Sequence, residues 1–303
     1  MPTDVEVCPA CACAGYVAVG SAAPGFCTRV ENAAFAQPPY RVRECERCGL
    51  FYRDCTLSAE EFSHYYSLVP ARKWEIAGHY PTEAAILARL KTLPERSRIL
   101  DFGCSSGRLL ASLTTTHECH GIEINEEAAR AAADKGLRML RLDDLIGKEA
   151  WFDAIILADV FEHLSAPLAL LSQITTALTP GGSLIVVTGN GDAPACRRDP
   201  AQFWYFREIE HVCMLTRRHA QFLARQLNLD LSEWAELCHY DLSRREKVVQ
   251  RLQNFVYWQF RRRTLLARSF LNFLPLFTRL REGDTAPTYS CSRDHVLAVF
   301  RKR

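Results

Sequence analysis

Long apolar runs are missing from this sequence of 303 residues. The chain has no run of about 18 apolar residues, so we expect no membrane-spanning helix. Residues 1–30 contain several cysteines and lack a basic start followed by an apolar stretch. We therefore expect no secretion signal and a cytoplasmic location. A large net charge is also missing: the formal charge is +2, which predicts no general affinity for nucleic acid or membranes.

The small total charge conceals an uneven distribution. Residues 240–303 contain 14 Lys and Arg against 5 Asp and Glu, so the preceding part of the chain is acidic. In residues 240–281 the basic side chains are mixed with aromatic and leucine side chains, and we expect helices there. Such a segment can pack on a sheet or form a homodimer contact, lie on an anionic membrane surface, or contact an anionic substrate. The sequence leaves these interpretations open.

Two C-x-x-C motifs lie near the start of the chain. The total of 13 cysteines is odd, and without a secretion signal this favours reduced thiols and metal ligation over disulfides. Two such motifs predict one structural zinc site with four thiolate ligands and no open position for catalysis. Cys13 and Cys27 are alternative ligands that lack the paired spacing. The predicted ligands are Cys8, Cys11, Cys45 and Cys48.

A glycine-bracketed turn follows an apolar segment at residues 98–107. Arg98 to Phe102 is predicted as a buried strand, and a helix is predicted over residues 107–115. Gly103 and Gly107 allow the backbone to approach a ligand closely, and the start of a helix offers free N–H groups. The spacing is G-x-x-x-G and not the dinucleotide-binding G-x-G-x-x-G. Taken alone, the turn is equally consistent with a ligand site and with a purely steric need for glycine.

Strands and helices alternate after this turn. Strands are predicted at 98–102, 118–124, 137–142, 152–158, 183–187, 229–237 and 294–301, with helices at 125–135, 167–178 and 216–226. This alternation predicts an α/β fold with a Rossmann-like, doubly wound sheet of seven strands. Ligands of such sheets bind at the carboxyl ends of the strands. Several acidic residues follow these strands, which suits a cationic or hydroxyl-rich ligand.

The series of motifs resembles the class I S-adenosylmethionine-dependent methyltransferases, over Arg98 to Leu229. In that family the first loop lies under the methionine end of the cofactor, the acid after the second strand holds the ribose hydroxyls, and an acid after the third strand lies by the adenine. Ser105 stands where the family usually has a central glycine. The cofactor contacts implied by the resemblance are Asp101, Phe102, Gly103, Cys104, Ser105, Gly107, Glu123, Ile124, Asp143, Asp144, Asp159, Val160 and Phe161.

The cysteine module narrows the resemblance to a bacterial branch that includes sugar C-methyltransferases. In that branch a histidine after the fourth strand and a Glu-His pair beyond the fifth strand serve the chemistry. The matching residues are His163, Glu210 and His211. The resemblance makes His211, with Glu210 beside it, the first candidate for the general base and His163 the second. Glu208 stands where the sugar C-methyltransferases have a tyrosine.

These observations predict five segments: a zinc-ribbon-like module at 1–56, a helical linker or cap at 57–97, a cofactor-binding core at 98–239, a helical insertion at 240–285 and a final strand at 286–303. The expected function is methyl transfer from S-adenosylmethionine to a small molecule, a nucleotide-linked or glycan sugar. One alternative is O-methylation of a membrane quinone-like phenol. Another is a non-catalytic protein that binds S-adenosylmethionine and zinc. A nucleic-acid substrate ranks low because the segment before Arg98 is not strongly basic.

Overall fold

Short antiparallel strands and one helix form the start of the chain in this computed structural model, which describes residues 3–22, 27–30, 33–70, 75–283, 286–287, 290 and 293–303. Strand β5 pairs with β2 and β6, while β1 pairs with β7 and β3 with β4. The elements are β1 (Thr3–Asp4), β2 (Tyr16–Ala22), β3 (Cys27–Val30), β4 (Ala33–Ala36), β5 (Tyr40–Cys45), β6 (Phe51–Arg53), β7 (Cys55–Thr56) and helix α1 (Ala59–Leu68). Ser58 and Glu61 form a capping box that fixes the start of α1.

A seven-stranded sheet lies at the centre of the rest of the chain. Its strand order is β10-β9-β8-β11-β12-β15-β14. Strands β8 to β12 run parallel, and β15 is antiparallel to both of its neighbours. The elements are α2 (Pro81–Leu90), β8 (Arg98–Phe102), β9 (Glu118–Ile122), α3 (Glu126–Asp134), β10 (Arg138–Leu140), β11 (Phe152–Ala158), α4 (Pro167–Thr176), β12 (Leu178–Gly189), α5 (Pro194–Arg198), β13 (Cys213–Met214), α6 (Arg217–Gln226), β14 (Leu229–Leu237), α7 (Arg244–Arg261), α8 (Leu265–Ser269), α9 (Thr278–Glu282) and β15 (His295–Lys302). The predicted Rossmann-like sheet is confirmed.

The apolar residues of β11 require that helices cover both faces of the sheet. Ile155, Ile156 and Leu157 are fully buried, as expected for a central parallel strand. Because successive side chains point to opposite faces, Ile155 and Leu157 pack with residues of α4 and α6, whereas Ile156 packs with residues of α2 and α3. The two helical layers leave the carboxyl ends of the strands as the edge where loops gather.

Several predicted element boundaries differ in the structure. The helix expected at 107–115 is a turn followed by a 3-10 turn, Ala111–Leu113. Threonine hydroxyls there donate to backbone carbonyls, Thr114 to Ala111 and Thr116 to Leu113, and such bonds compete with an α-helix. Strand β12 starts five residues earlier than expected, because Leu178 already pairs with Phe152.

The N-terminal strands and the central fold share one small sheet. Strand β13 pairs with β6, so the small sheet has the order β13-β6-β5-β2. The buried guanidinium of Arg53 donates to the carbonyl of Phe206 at 2.5 Å, Glu208 at 2.7 Å and Ile209 at 3.2 Å. Arg53 therefore adds to the strand pairing that holds the N-terminal strands against the segment that follows α5. The boundaries predicted for the five segments stay predictions.

Helices α7, α8 and α9 and two 3-10 turns, Leu271–Phe273 and Pro275–Phe277, lie between β14 and β15. Ser243 caps α7 by accepting from the Glu246 N–H. The inner face of α7 buries Asn254, Val256 and Tyr257. Among the residues that the structure describes, no helix combines the length and apolar character needed to cross a membrane.

Candidate active site

The loop after β8 has the backbone shape that its glycines predict. Gly103 has φ +78°, and a Cβ there would lie 2.6 Å from a methyl carbon of Val160. Ser105 also has a positive φ, 46°, a conformation that non-glycine residues rarely adopt. The Ser105 N–H donates to Glu123 Oε2 at 2.9 Å. Serine thus occupies a position whose backbone favours glycine, and a carboxylate holds the strained turn in place.

Glu123 ties the end of β9 to this loop. Its other oxygen accepts from the Asn125 N–H at 2.8 Å. A carboxylate can accept about four hydrogen bonds, so Glu123 retains acceptor capacity for a ligand. The next residue, Ile124, leaves 76% of its surface exposed. Asp143 and Asp144 are exposed too, and Asp144 accepts from the Arg141 N–H at 2.7 Å.

Asp101 is buried at the end of β8, beneath the loop. Burial raises the pKa of Asp101 to about 7, helped by the negative charges of Glu83 and Glu123. Phe102 is half-buried, and Cys104 is buried with a raised pKa caused mainly by its burial. The carboxyl group of Asp101 is therefore poised to gain or lose its proton near neutral pH.

Tyr205 joins the two acids that follow β11. Its hydroxyl donates to Asp159 Oδ1 at 2.8 Å and also contacts Glu162 Oε1. One hydroxyl proton cannot serve both carboxylates. Burial raises the pKa of Glu162, so this acid can carry the second proton. Val160 packs on Gly103, and Phe161 is fully buried, which places this segment against the loop after β8.

A buried histidine balances the charge of Asp159. His295 Nε2 lies 3.4 Å from Asp159 Oδ1, and His295 Nδ1 lies 3.4 Å from Asp294 Oδ1. Burial alone would lower the pKa of His295, but the two carboxylates outweigh it and raise the pKa to about 9. His295 is therefore charged at neutral pH. Asp294 Oδ2 also accepts from the Trp204 indole at 3.1 Å.

Two imidazoles meet at Glu162. Its carboxylate is fully buried and accepts from the Thr188 hydroxyl at 2.7 Å. His163 Nε2 lies 3.6 Å and His211 Nε2 lies 3.9 Å from Glu162 Oε1. The rings of the two histidines are nearly perpendicular, with centroids 4.8 Å apart. The structure thus brings together two of the three residues predicted to be catalytic.

The remaining ring nitrogens have distinct partners. His211 Nδ1 lies against the Tyr205 carbonyl oxygen, and a carbonyl can only accept, so Nδ1 carries a proton. His163 Nδ1 lies 2.9 Å from the Tyr66 hydroxyl. Burial and the neighbouring His163 lower the pKa of His211 well below its ordinary value. His211 is therefore neutral near pH 7, with Nε2 unprotonated.

Glu210 has a partner that the sequence did not predict. Its Oε1 accepts from the Tyr65 hydroxyl at 2.8 Å, whereas Glu162 Oε1 lies within 4 Å of both imidazoles. Sequence reasoning also missed roles for Tyr66, Asp294 and His295. A usable signal existed for His295: the last strand of such a sheet is antiparallel, so its first residue lies at the carboxyl end of β12, opposite Gly189.

The four paired cysteines come together in the N-terminal module. Their sulfur atoms lie within 4.8 Å of one another, and the Cys8–Cys48 and Cys11–Cys45 sulfur distances are both 3.5 Å. A tetrahedral Zn–S₄ site has sulfur atoms about 3.8 Å apart. Cys13 instead faces the Gly15 carbonyl, and the side chain of Cys27 lies outside the described part of the chain. The cluster can hold a metal ion.

Comparison with known proteins adds an independent observation. Residues 76–233 match the family described as "Methyltransferase domain". The chain belongs to this methyltransferase family. This family supports S-adenosylmethionine as the cofactor.

The curated relatives cover only part of the methyltransferase. A ubiquinone biosynthesis O-methyltransferase of Xanthomonas axonopodis pv. citri is 30% identical over 128 residues, which is 39% of this chain and 50% of that protein. One of Xylella fastidiosa is 32% identical over 105 residues, 31% of this chain and 42% of that protein. The chain spans about half the length of the curated relatives it matches. An S-adenosylmethionine-dependent methyltransferase of Mesorhizobium loti superposes with TM-score 0.47 and 15% identity, over 73% of this chain and 98% of that one.

Proposed function

We propose that the methyltransferase methylates a small hydroxyl-rich acceptor, a nucleotide-linked or glycan sugar, with His211 as general base. The observation that carries this proposal is the meeting of His163 and His211 at the buried Glu162, beside the segment that packs on Gly103. A histidine that is neutral at pH 7 can remove a proton from a hydroxyl group or from a carbon next to a ketone.

The described residues at the loop fit S-adenosylmethionine. The spare acceptor capacity of Glu123 suits two ribose hydroxyls, and the exposed Ile124 offers an apolar surface that an adenine ring would cover. The exposed Asp143 would accept from the adenine amino group, and the buried Asp101 would support the cationic end. When bound, the cofactor supplies a sulfonium methyl group that needs an aligned acceptor and exclusion of water.

Neighbouring groups prepare His211 for proton removal. The Tyr205 carbonyl holds the proton on Nδ1 and leaves Nε2 as the basic nitrogen. The Glu162 carboxyl group can receive or return a proton at the same place, because burial raises its pKa. Tyr66 orients His163 from α1, so the segment before the core closes one side of the acceptor site. Aligned proton transfer of this kind contributes about a hundred- to ten-thousandfold in rate.

A phenolic acceptor is the second candidate. The similarity to ubiquinone biosynthesis O-methyltransferases favours it. A group of aromatic side chains suits either acceptor. The stacked rings of Tyr80 and His239 have centroids 4.4 Å apart, and the ring centroids of Trp204 and Tyr240 are 6.0 Å apart. His211 would then remove the phenol proton. The proposed cofactor contacts and the groups around His211 would have the same roles as with a sugar acceptor.

The four-cysteine cluster supports a structural zinc ion as part of the same proposal. Burial raises the pKa of Cys11 to about 12, so this thiol stays protonated unless a cation compensates its charge. Zinc would supply that charge and crosslink the two cysteine-bearing turns of a small module. Four thiolates leave no position for substrate, so the ion stays outside the chemistry.

Calorimetry and an acceptor screen test the proposal. We expect Glu123→Gln to weaken binding of S-adenosylmethionine at least about tenfold, because one charged acceptor is lost. Glu118→Gln, at the opposite end of β9, is the matched control and should bind normally. Equal affinity of both variants would remove Glu123 from the ribose site. Methyl transfer to nucleotide-linked keto-sugars supports the sugar proposal, and transfer to phenols alone would replace it by the second candidate.

A further inference from the structure

The segment between α7 and β15 leaves unusually large apolar side chains in solvent. Leu265, Phe273 and Leu276 each expose more than three quarters of their surface, and Phe270 exposes more than half. Single exposed apolar residues are common, but a group within a dozen residues marks a contact site. The segment does not use these side chains to cover the sheet, although that was one interpretation of the sequence.

The same segment is strongly basic. Residues 261–283 contain six arginines and one glutamate. We call the exposed side chains of residues 261–283 the basic apolar surface. All six guanidinium side chains are exposed. They are Arg261, Arg262, Arg263, Arg268, Arg279 and Arg281. Long arginine stems can lie along apolar surface while their charged ends remain in water.

The preceding helix repeats this combination on its outer face. Val248, Leu252 and Phe255 follow one another at helical spacing and each exposes more than half of its surface. Arg244 and Arg251 lie beside this stripe and are exposed. The buried Tyr257 lies on the opposite face of α7. The outer side of the insertion therefore presents apolar and basic side chains together in two successive elements.

Charge decides which partner this surface fits. In a two-fold dimer the same patch faces its own copy. Two surfaces, each with a net charge of +5, would then repel each other. An anionic lipid bilayer offers negative headgroups for the arginines and an apolar layer for the leucine and phenylalanine side chains. We propose that the basic apolar surface docks the methyltransferase on an anionic membrane.

The short elements fix how such docking would work. Helix α8 has five residues, and 3-10 turns follow it. Elements this short lie within the headgroup region and do not cross the bilayer. Leu265, Phe273 and Leu276 enter the boundary of the acyl chains, while the arginines stay at the level of the phosphates. The docking is peripheral, reversible and weakened by salt.

Co-sedimentation with lipid vesicles tests this proposal on the full chain. We expect binding to vesicles that contain phosphatidylserine and none to phosphatidylcholine alone. The triple variant Leu265→Ser, Phe273→Ser, Leu276→Ser should bind at least about tenfold more weakly, because each buried apolar side chain contributes to partitioning. The exposed positions allow these changes without disturbing the core. Val17→Ser, an exposed apolar residue of β2, is the matched control.

Three outcomes would overturn the proposal. One is no binding to phosphatidylserine vesicles at low salt. Another is vesicle binding that the triple variant retains but that the double variant Arg261→Glu, Arg262→Glu abolishes. Such binding would depend on charge alone, as expected if the natural partner were a soluble polyanion. The third is a dimer in sedimentation that the triple variant dissociates, which would make a second copy the occupant. Equal methyl transfer to a soluble acceptor by wild type and triple variant shows that the enzyme itself is intact.

Discussion

Replacing Asp101 by asparagine should stabilise the cofactor-free protein and weaken cofactor binding. The pKa of Asp101 is about 7 in the folded protein, mainly because of burial, against an ordinary value of 3.8. The unfolded state therefore ionises first as the pH rises. The folded and unfolded pKa values of Asp101 differ by about three units. Above pH 7 this difference lowers the free energy of unfolding by about 4 kcal/mol. Asparagine has no charge to bury, so Asp101→Asn avoids this loss.

The sign of the effect determines the pH window. A carboxyl group with a raised folded pKa contributes its full stability below about pH 4 and loses it as the pH rises to about 7. We expect the advantage of Asp101→Asn to be small at pH 4, to grow by about 1.4 kcal/mol per pH unit, and to level off above pH 7. Urea unfolding at several pH values measures this difference. Asp134→Asn, an exposed carboxyl group on α3, is the control and should show no such trend.

Binding of S-adenosylmethionine should change in the opposite direction. If Asp101 supports the cationic end of the cofactor, Asp101→Asn should lower the affinity about tenfold to a hundredfold. A variant that is more stable and binds less well is the expected signature of a functional site. An advantage that does not depend on pH would refute the reasoning on the buried charge, and unchanged affinity would refute the role of Asp101 at the loop.

Two further predictions concern the base and the metal. His211→Asn should lower kcat about a hundred- to ten-thousandfold without changing the affinity for S-adenosylmethionine. Because burial lowers the pKa of His211, wild-type activity should fall only well below pH 6.5; a fall centred at 6.5 would contradict His211 as the base. Metal analysis should find about one zinc per chain, lost in Cys48→Ser and kept in Cys13→Ser. Chelation should lower the unfolding temperature, and a metal-free protein of full stability would contradict this prediction.

The sequence predicts the sheet because its signals are local. Apolar runs such as β11 are buried on both faces, and Pro167 begins α4 at the favoured first position. The rule that ligands bind at carboxyl ends then brings Asp101, Glu123 and Asp159 to one edge. Elements with competing local bonds were less predictable: the 3-10 turn at 111–113 is followed by three threonines, and two of their hydroxyls bond the backbone.

The side-chain partners within the site were not predictable in this way. Glu210 and His211 are neighbours in sequence, yet the first contacts Tyr65 and the second lies near Glu162. These partners are 145 and 49 positions away, so only the folded chain brings them together. The Ser105 turn shows the same dependence on distant residues, because Glu123 holds its backbone.

Under the proposed function, the three carbonyl contacts of Arg53 would give the N-terminal module a share in catalysis. The carbonyls belong to Phe206, Glu208 and Ile209, which lie between Tyr205 and His211. Loss of the four-thiolate centre would free β6 and Arg53 and release this segment. Glu123 and its loop are held by separate contacts, so cofactor binding would survive. A cell short of zinc would then contain an enzyme that binds its methyl donor but is inactive, and the activity would depend on the zinc supply.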